Sequence, residues 1–153
     1  MDKFKIYLAH PITGLPGVEV CKYYRYLSSR LNALGYHVMH PLTAKGDLVG
    51  ENNIKPHGYK VNSLTRDHAI QKRDSWMVKQ ADVVLVDLTN SASVSIGCVS
   101  ELAYASVGGK HTVVVMEEDN IHMHAFVLQE ADVIYRTLDE AVEYLVKLIN
   151  HTL

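Results

Sequence analysis

The sequence predicts an α/β fold of the flavodoxin-like, Rossmann-like kind, a doubly wound, five-stranded parallel sheet in the order 2-1-3-4-5. Short valine-rich runs such as Asp82-Val-Val-Leu-Val-Asp-Leu88 lack polar alternation, which suits strands buried on both faces. They alternate with segments of helical spacing. The connections are mostly short and rich in turn-forming residues. At 153 residues, one domain over 1–153 is expected, with enough chain for a real core.

Lys3 to Ala9 reads as the first strand, followed by a loop of turn formers, His10-Pro-Ile-Thr-Gly-Leu-Pro-Gly17. This loop is neither a GxGxxG fingerprint nor a P-loop. Val18 to Leu34 is a helix, with Val20, Tyr23, Tyr24, Leu27, Leu31 and Leu34 on one face, and Gly35 ends it. Tyr36 to Met39 is a second short strand that leads to His40-Pro41. Leu42 to Asn62 has no clear period, so a functional lid or mobile segment is expected there. Ser63 to Gln80 reads as a helix with Leu64, His68, Ile70, Trp76 and Met77 loosely on one side. Thr65-Arg-Asp67 offers it capping chemistry.

The central unit runs from Asp82 to Lys110 as strand, small-residue loop and helix, and the helix stops at Gly108-Gly109. A fourth strand, His111 to Met116, follows. Ile121 to Gln129 is a short helical or irregular segment. Asp132 to Tyr135 is the fifth strand. Thr137 and Glu140 form a capping box for a last helix to about Asn150, with Ala141, Leu145, Leu148 and Ile149 as its core stripe.

Hydrophobic content of 48% and charged content of 21% are ordinary for a globular protein. A net charge of −2 without a basic stripe disfavours nucleic-acid binding. Cys21 and Cys98 match no CxxC pattern. No signal peptide or membrane-spanning run stands out, so a cytoplasmic protein without a membrane partner is expected. Among the nine histidines, the pairs His37/His40 and His122/His124 lack zinc-motif spacing. No metal or cofactor is expected.

In the predicted order, strands one and three flank the switch point. The loops His10 to Gly17 and Thr89 to Gly97 then meet over one crevice. Tyr7, the first loop, His40, Asp74, the Ser91–Gly97 loop and Glu101 converge there. Ser95, Gly97 and the helix-start amides suit an anion such as phosphate, although a flexible polar loop fits the same residues. Glu101 shares a helix side with Cys98 and Ala105, which is apolar. It is either an acid complementing the helix dipole or a carboxylate turned inward for chemistry.

Tyr7 in the first strand, Asp74 seven residues before Ala81-Asp82-Val-Val, and Ser95-Ile-Gly97 shortly before Glu101-Leu-Ala resemble the nucleoside 2'-deoxyribosyltransferase superfamily over nearly the whole chain. The resemblance implies that Glu101 is the nucleophile at C1' of the sugar and forms a glycosyl-enzyme ester, the logic of a retaining glycosidase. It implies that Asp74 helps to hold the base and handle its proton, and that Tyr7 lies beside the sugar. A solvated helix acid and a core aromatic are the plain readings of those two residues.

The position six residues before the glutamate divides the superfamily. An aspartate there serves free nucleosides, and a serine serves nucleoside 5'-monophosphates. Ser95 is similar to the nucleotide N-glycosidase branch, and so is His40. The resemblance therefore implies a nucleotide substrate, hydrolysis to base and (deoxy)ribose 5-phosphate, and no cofactor. It adds His10, Ile12, Thr13, Gly14, His40, Ser95, Gly97 and His124 as substrate-binding residues. It also implies a homodimer or higher homo-oligomer whose sites are completed by a neighbouring subunit. Thr13-Gly14 stands where that branch has an arginine. His124 falls near the position of a serine that the neighbouring subunit supplies, where a protonated imidazole would provide positive charge. Base exchange by a 2'-deoxyribosyltransferase and a non-catalytic nucleotide sensor are the alternatives.

Overall fold

The computed structural model describes residues 3–59 and 65–152. It contains β1 (Lys5–Ala9), α1 (Gly17–Ala33), β2 (His37–Met39), a 3-10 turn (Gly46–Gly50), α2 (Asp67–Gln80), β3 (Val83–Asp87), α3 (Ile96–Val107), β4 (His111–Val115), α4 (Ala125–Glu130), β5 (Val133–Tyr135) and α5 (Leu138–Asn150). All strand pairs are parallel and their order is β2-β1-β3-β4-β5, as the alternation of elements predicts. β3 is central and every residue in it is buried, which explains its continuous apolar run. No helix among the described residues is long and apolar enough to cross a membrane.

Strand periodicity divides the core into two layers. Ile6, Leu8, Val83, Leu85, Val113 and Val115 pack with α1 and α5. Tyr7, Ala9, Val84, Val86 and Val114 pack with α2, α3 and α4. Tyr7 therefore belongs to the layer that also holds α2 and α3. The predicted capping box forms at α5, where Thr137 Oγ1 accepts from the Glu140 N–H and Glu140 Oε2 accepts from the Thr137 N–H. The chain turns after α3 through Gly109, whose φ of 67° suits glycine.

Two expectations need correction. The face assigned to α2 is rotated. Its buried residues are Asp74, Ser75, Met77 and Val78, whereas Trp76 and His68 are exposed. Two polar residues on the inward face hide its period from a hydrophobicity count. The N-cap position is Arg66, which makes no side-chain cap bond, and Asp67 Oδ1 instead accepts from the Gly58 N–H. The predicted helix start at Ser63, Leu64 on its face and the loop end at residues 60–62 lie outside the described residues.

The second correction concerns the long segment after β2. It packs as part of the core, with Leu42, Leu48 and Ile54 all buried in the α1 layer. Three backbone bonds lace it to the first loop and α1: Gly14 N–H to Ile54 O (2.7 Å), Ile54 N–H to Leu15 O (2.8 Å) and Gly17 N–H to Glu51 O (2.8 Å). Glycine is required at position 17, because a Cβ there would overlap the Leu48 carbonyl oxygen. Gly17→Ala is expected to lose about 1–3 kcal/mol of stability in urea unfolding. Gly46→Ala, with open space around its Cβ, is expected to stay within about 0.5 kcal/mol of wild type. Equal stability of the two variants would mean that this segment is not locked to α1.

Candidate active site

A cavity of about 490 Å³ opens where the first loop, the segment after β2, α2 and the start of α3 meet. That size suits a small organic ligand. Glu101 and Asp74 lie on its wall, with Lys45 beside them. Glu101 is only 8% exposed. Its flank is apolar because Cys98 and Ala105, one turn away on either side, are buried in the same layer. Beneath it, the fully buried Tyr7 hydroxyl donates to Oε1 at 2.7 Å.

Burial pushes the Glu101 carboxyl from its ordinary 4.5 up to about 8. The nearby Asp74 charge adds to the rise, and the Tyr7 hydrogen bond and Lys45 oppose it. Burial also raises the Tyr7 phenol well above its usual value, with Glu101 next in effect, so Tyr7 stays a donor. Asp74 binds Lys45 through both oxygens, with Nζ at 3.1 Å from Oδ1 and 3.0 Å from Oδ2. Burial raises the Asp74 carboxyl and lowers the Lys45 ammonium, while their mutual attraction opposes both shifts.

The Ser95 end of the cavity is built at the start of α3. Ser95 is the N-cap, and its Oγ accepts from the Cys98 N–H at 3.3 Å. Its own N–H donates to His122 Nε2 at 2.8 Å, and Asn120 Oδ1 bonds the other ring nitrogen of His122. An accepting Nε2 and a donating Nδ1 define the neutral tautomer, which burial favours. His122 is thus a strut for the Ser95 turn. Across the cavity, His10 stacks on Tyr23 at 4.1 Å, and its Nδ1 lies 2.9 Å from the Asp87 carbonyl oxygen. The Asp87 carboxylate in turn accepts from Tyr23 and Thr89.

The family model described as nucleoside 2-deoxyribosyltransferase matches residues 6–143. The chain belongs to that family. Among solved structures, a 2-deoxyribosyltransferase from Bacillus psychrosaccharolyticus is similar at 19% identity. The match covers 90% of this chain and 89% of that one, with a TM-score of 0.64. A 2-desoxiribosyltransferase from Leishmania mexicana matches at 17% identity over 94% and 97% of the two chains, TM-score 0.61. A Clostridium botulinum CMP N-glycosidase matches at 17% identity over 92% and 96%, TM-score 0.57. At such identities the likeness is one of fold. No curated protein matched.

Within this family fold, His10, Ile12, Thr13, Asp74, Ser95, Gly97 and Glu101 line the cavity, and Tyr7 sits behind Glu101. Gly14, His40 and His124 are not on its wall. Gly14 instead bonds Ile54 and turns the first loop at a φ of 83°. His40 stacks on Tyr24 at 4.7 Å, and Pro41 beside it reaches the wall. His124 caps α4, and its Nδ1 accepts from the Phe126 N–H, a bond that requires an unprotonated nitrogen there. Among the described residues, the lysines on the cavity wall are Lys45 and Lys55. Neither was read from sequence, because a lysine in an aperiodic segment looks like any solvated one.

A carboxyl raised on folding is protonated in the native chain and ionised in the unfolded one between about 4.5 and about 8. The native state binds the extra proton, so this contribution to stability is full below the lower value and lost as pH rises through the upper one. Glu101→Gln cannot ionise. In urea unfolding it is expected to match wild type near pH ~5 and to exceed it by a few kcal/mol (order of magnitude) near pH ~9. Equal stability at the higher pH would show that the carboxylate is solvated.

Proposed function

We propose that this protein cleaves the N-glycosidic bond of a nucleoside 5'-monophosphate by displacement on Glu101, releasing free base and sugar 5-phosphate. The observation that carries this reading is a buried carboxylate on a cavity wall, fixed at one oxygen by a phenol that cannot take its place as an anion. Glu101 attacks C1', the base departs toward Asp74, and a glycosyl ester forms. Water then attacks the same carbon and frees Glu101. Two displacements from opposite faces of C1' together replace a single difficult step.

The nucleotide preference rests on the other end of the cavity. The Ser95 hydroxyl accepts from Cys98 and keeps its own proton for donation to a ligand. The first amides of α3 precede its hydrogen-bond ladder. Lys55 adds a cation to the wall. An aspartate in place of Ser95 would repel a phosphate, and serine does not.

Base exchange, in which a second base replaces water, is favoured by one observation: Glu101 is nearly shielded from solvent, which lengthens the life of an ester. A screen of ribo- and deoxynucleoside monophosphates is expected to show base release. Glu101→Ala should reduce it about a thousandfold or more. Exchange with an added free base, without net hydrolysis, would replace the hydrolase reading with transfer. Ligand binding unaffected by Glu101→Ala, with no turnover in wild type, would identify a sensor.

Glu101 must be ionised to attack, so kcat/KM is expected to rise with pH through about 8. The Tyr7 bond favours the ionised form. Its loss in Tyr7→Phe is expected to move that limb to higher pH and lower kcat/KM at neutrality by about ten- to a hundredfold. An unmoved limb would mean that the limb belongs to another group.

A further inference from the structure

A departing base needs a proton, and the Lys45–Asp74 pair stands on this wall beside Glu101. We propose that the Lys45 ammonium, not the Asp74 carboxyl, is the acid that protonates the leaving base. This rests on the N-glycosyl cleavage proposed above and names the acid of that same site.

Lys45 is 3% exposed yet lines the cavity together with Asp74 and Glu101. A buried lysine in a binding cavity is uncommon, because desolvating an ammonium is costly. The backbone holds it there. Ala44 before it has a φ of 60°, a left-handed conformation that alanine rarely adopts, and the buried Leu42 and Leu48 flank the turn. This local strain is sustained only because the packed segment around it is fixed.

The hydrogen bonds decide which partner holds the proton. Nζ reaches both Asp74 oxygens, at 3.1 Å and 3.0 Å. A carboxylate that accepts a charged hydrogen bond at each oxygen is held ionised. A protonated carboxyl would point a hydroxyl at an ammonium. The acidic proton of the pair therefore sits on nitrogen. An ammonium has three N–H groups and Asp74 takes two of them. The third has no acceptor in the hydrogen bonds among the described residues, and is available to a base in the cavity. Asp74 becomes the group that holds and orients Lys45.

The groups facing Lys45 tune it toward release. Asp74 from α2 and Glu101 from α3 hold its proton, whereas burial and Arg73 from α2 loosen it. His40, off the cavity wall, is driven toward the neutral form by burial and then by the Lys45 charge. When Glu101 becomes an ester, one of the two anions holding the Lys45 proton disappears. In the same step the base gains electron density. Proton release is thereby coupled to bond cleavage.

The atoms balance as follows. A Glu101 oxygen bonds C1', and the C1'–N bond breaks with its electron pair on the base. The Nζ–H bond breaks and that proton neutralises the base, leaving Lys45 as an amine beside Asp74. Water then bonds C1' through oxygen and the ester C1'–O bond breaks, returning the Glu101 carboxylate. The proton lost by water goes to Lys45 and restores the ammonium.

The test compares leaving groups. A nucleotide needs protonation of its base, whereas a 4-nitrophenyl 2-deoxyribose 5-phosphate glycoside releases a stable phenolate. Lys45→Arg keeps the charge but does not give up its proton, and Lys45→Gln is a neutral donor. Both should lose about a hundredfold or more in kcat on the nucleotide. Lys45→Arg should lose less than about tenfold on the nitrophenyl substrate, and Lys45→Gln, which also removes the charge that lowers the Glu101 pKa, should lose less there than on the nucleotide. Melting temperatures identify any variant that fails to fold. Wild type alone provides the second measurement: kcat on the nucleotide should fall on an alkaline limb that is absent with the nitrophenyl substrate. Equal losses on both substrates, or limbs that coincide, would overturn Lys45 as the acid and leave it a structural partner of Asp74. Wild type that releases no base from any nucleotide or nucleoside would instead overturn the cleavage reading, and this inference with it.

Discussion

The site depends on keeping a carboxylate out of water without giving it a counter-ion of its own. Among the described residues, Glu101 meets a phenol, not an ammonium or guanidinium, at bonding distance. A hydrogen bond from a neutral donor stabilises the anion only partly against desolvation, so its pKa stays high. A bound cation would hold the group ionised. The cation is placed one residue away, on Asp74. There it cancels a second negative charge that would otherwise repel Glu101 at close range. Lys45, Asp74, Glu101 and Tyr7 thus form one electrostatic unit in which each group sets the protonation of the next.

The fold supplies that unit by strand alternation. Tyr7 faces the α2–α3 layer, while its neighbours Ile6 and Leu8 face the α1–α5 layer. A one-residue slip of β1 would exchange these faces and leave Glu101 without its donor. The parallel register of β1 with β3, Tyr7 opposite Val84, resists such a slip because both faces of both strands are buried. The core is therefore what aligns the chemistry.

Strand order was legible from sequence, since apolar runs in β1, β3 and β4, valine-rich in the last two, alternate with helical patterns such as that of α5. The placement of Glu101 was legible for a related reason, as Cys98 and Ala105 mark its side of α3 as inward. The face of α2 was not, because its inward residues include Asp74 and Ser75, and a hydrophobic period cannot register a polar residue buried by an ion pair. The Leu42–Asn62 stretch failed for a different reason. Its order comes from backbone bonds to Leu15, Gly14 and Gly17 and from three scattered apolar anchors. None of these has a period. Lys45 lay in that stretch, so the cation of the site was invisible until the chain was folded.

Histidine placement follows the same logic. His122 and His124 are two residues apart, yet one is buried as a strut under Ser95 and the other caps a short surface helix. His10 lies at the cavity, held by Asp87, the last residue of β3. Asp87 is buried and accepts from Tyr23 and Thr89, so it ties α1, β3 and the first loop together at the carboxyl edge of the sheet. The first loop is thereby fixed from two sides, by Asp87 through His10 and by Ile54 through Gly14. These bonds hold the first loop, which lines the cavity on the wall it shares with Glu101. Under the proposed cleavage, whether a glycosyl ester on Glu101 met water or a second base would turn on what can enter from the Asp74–Lys45 side. The pair proposed to assist departure would then also select the acceptor.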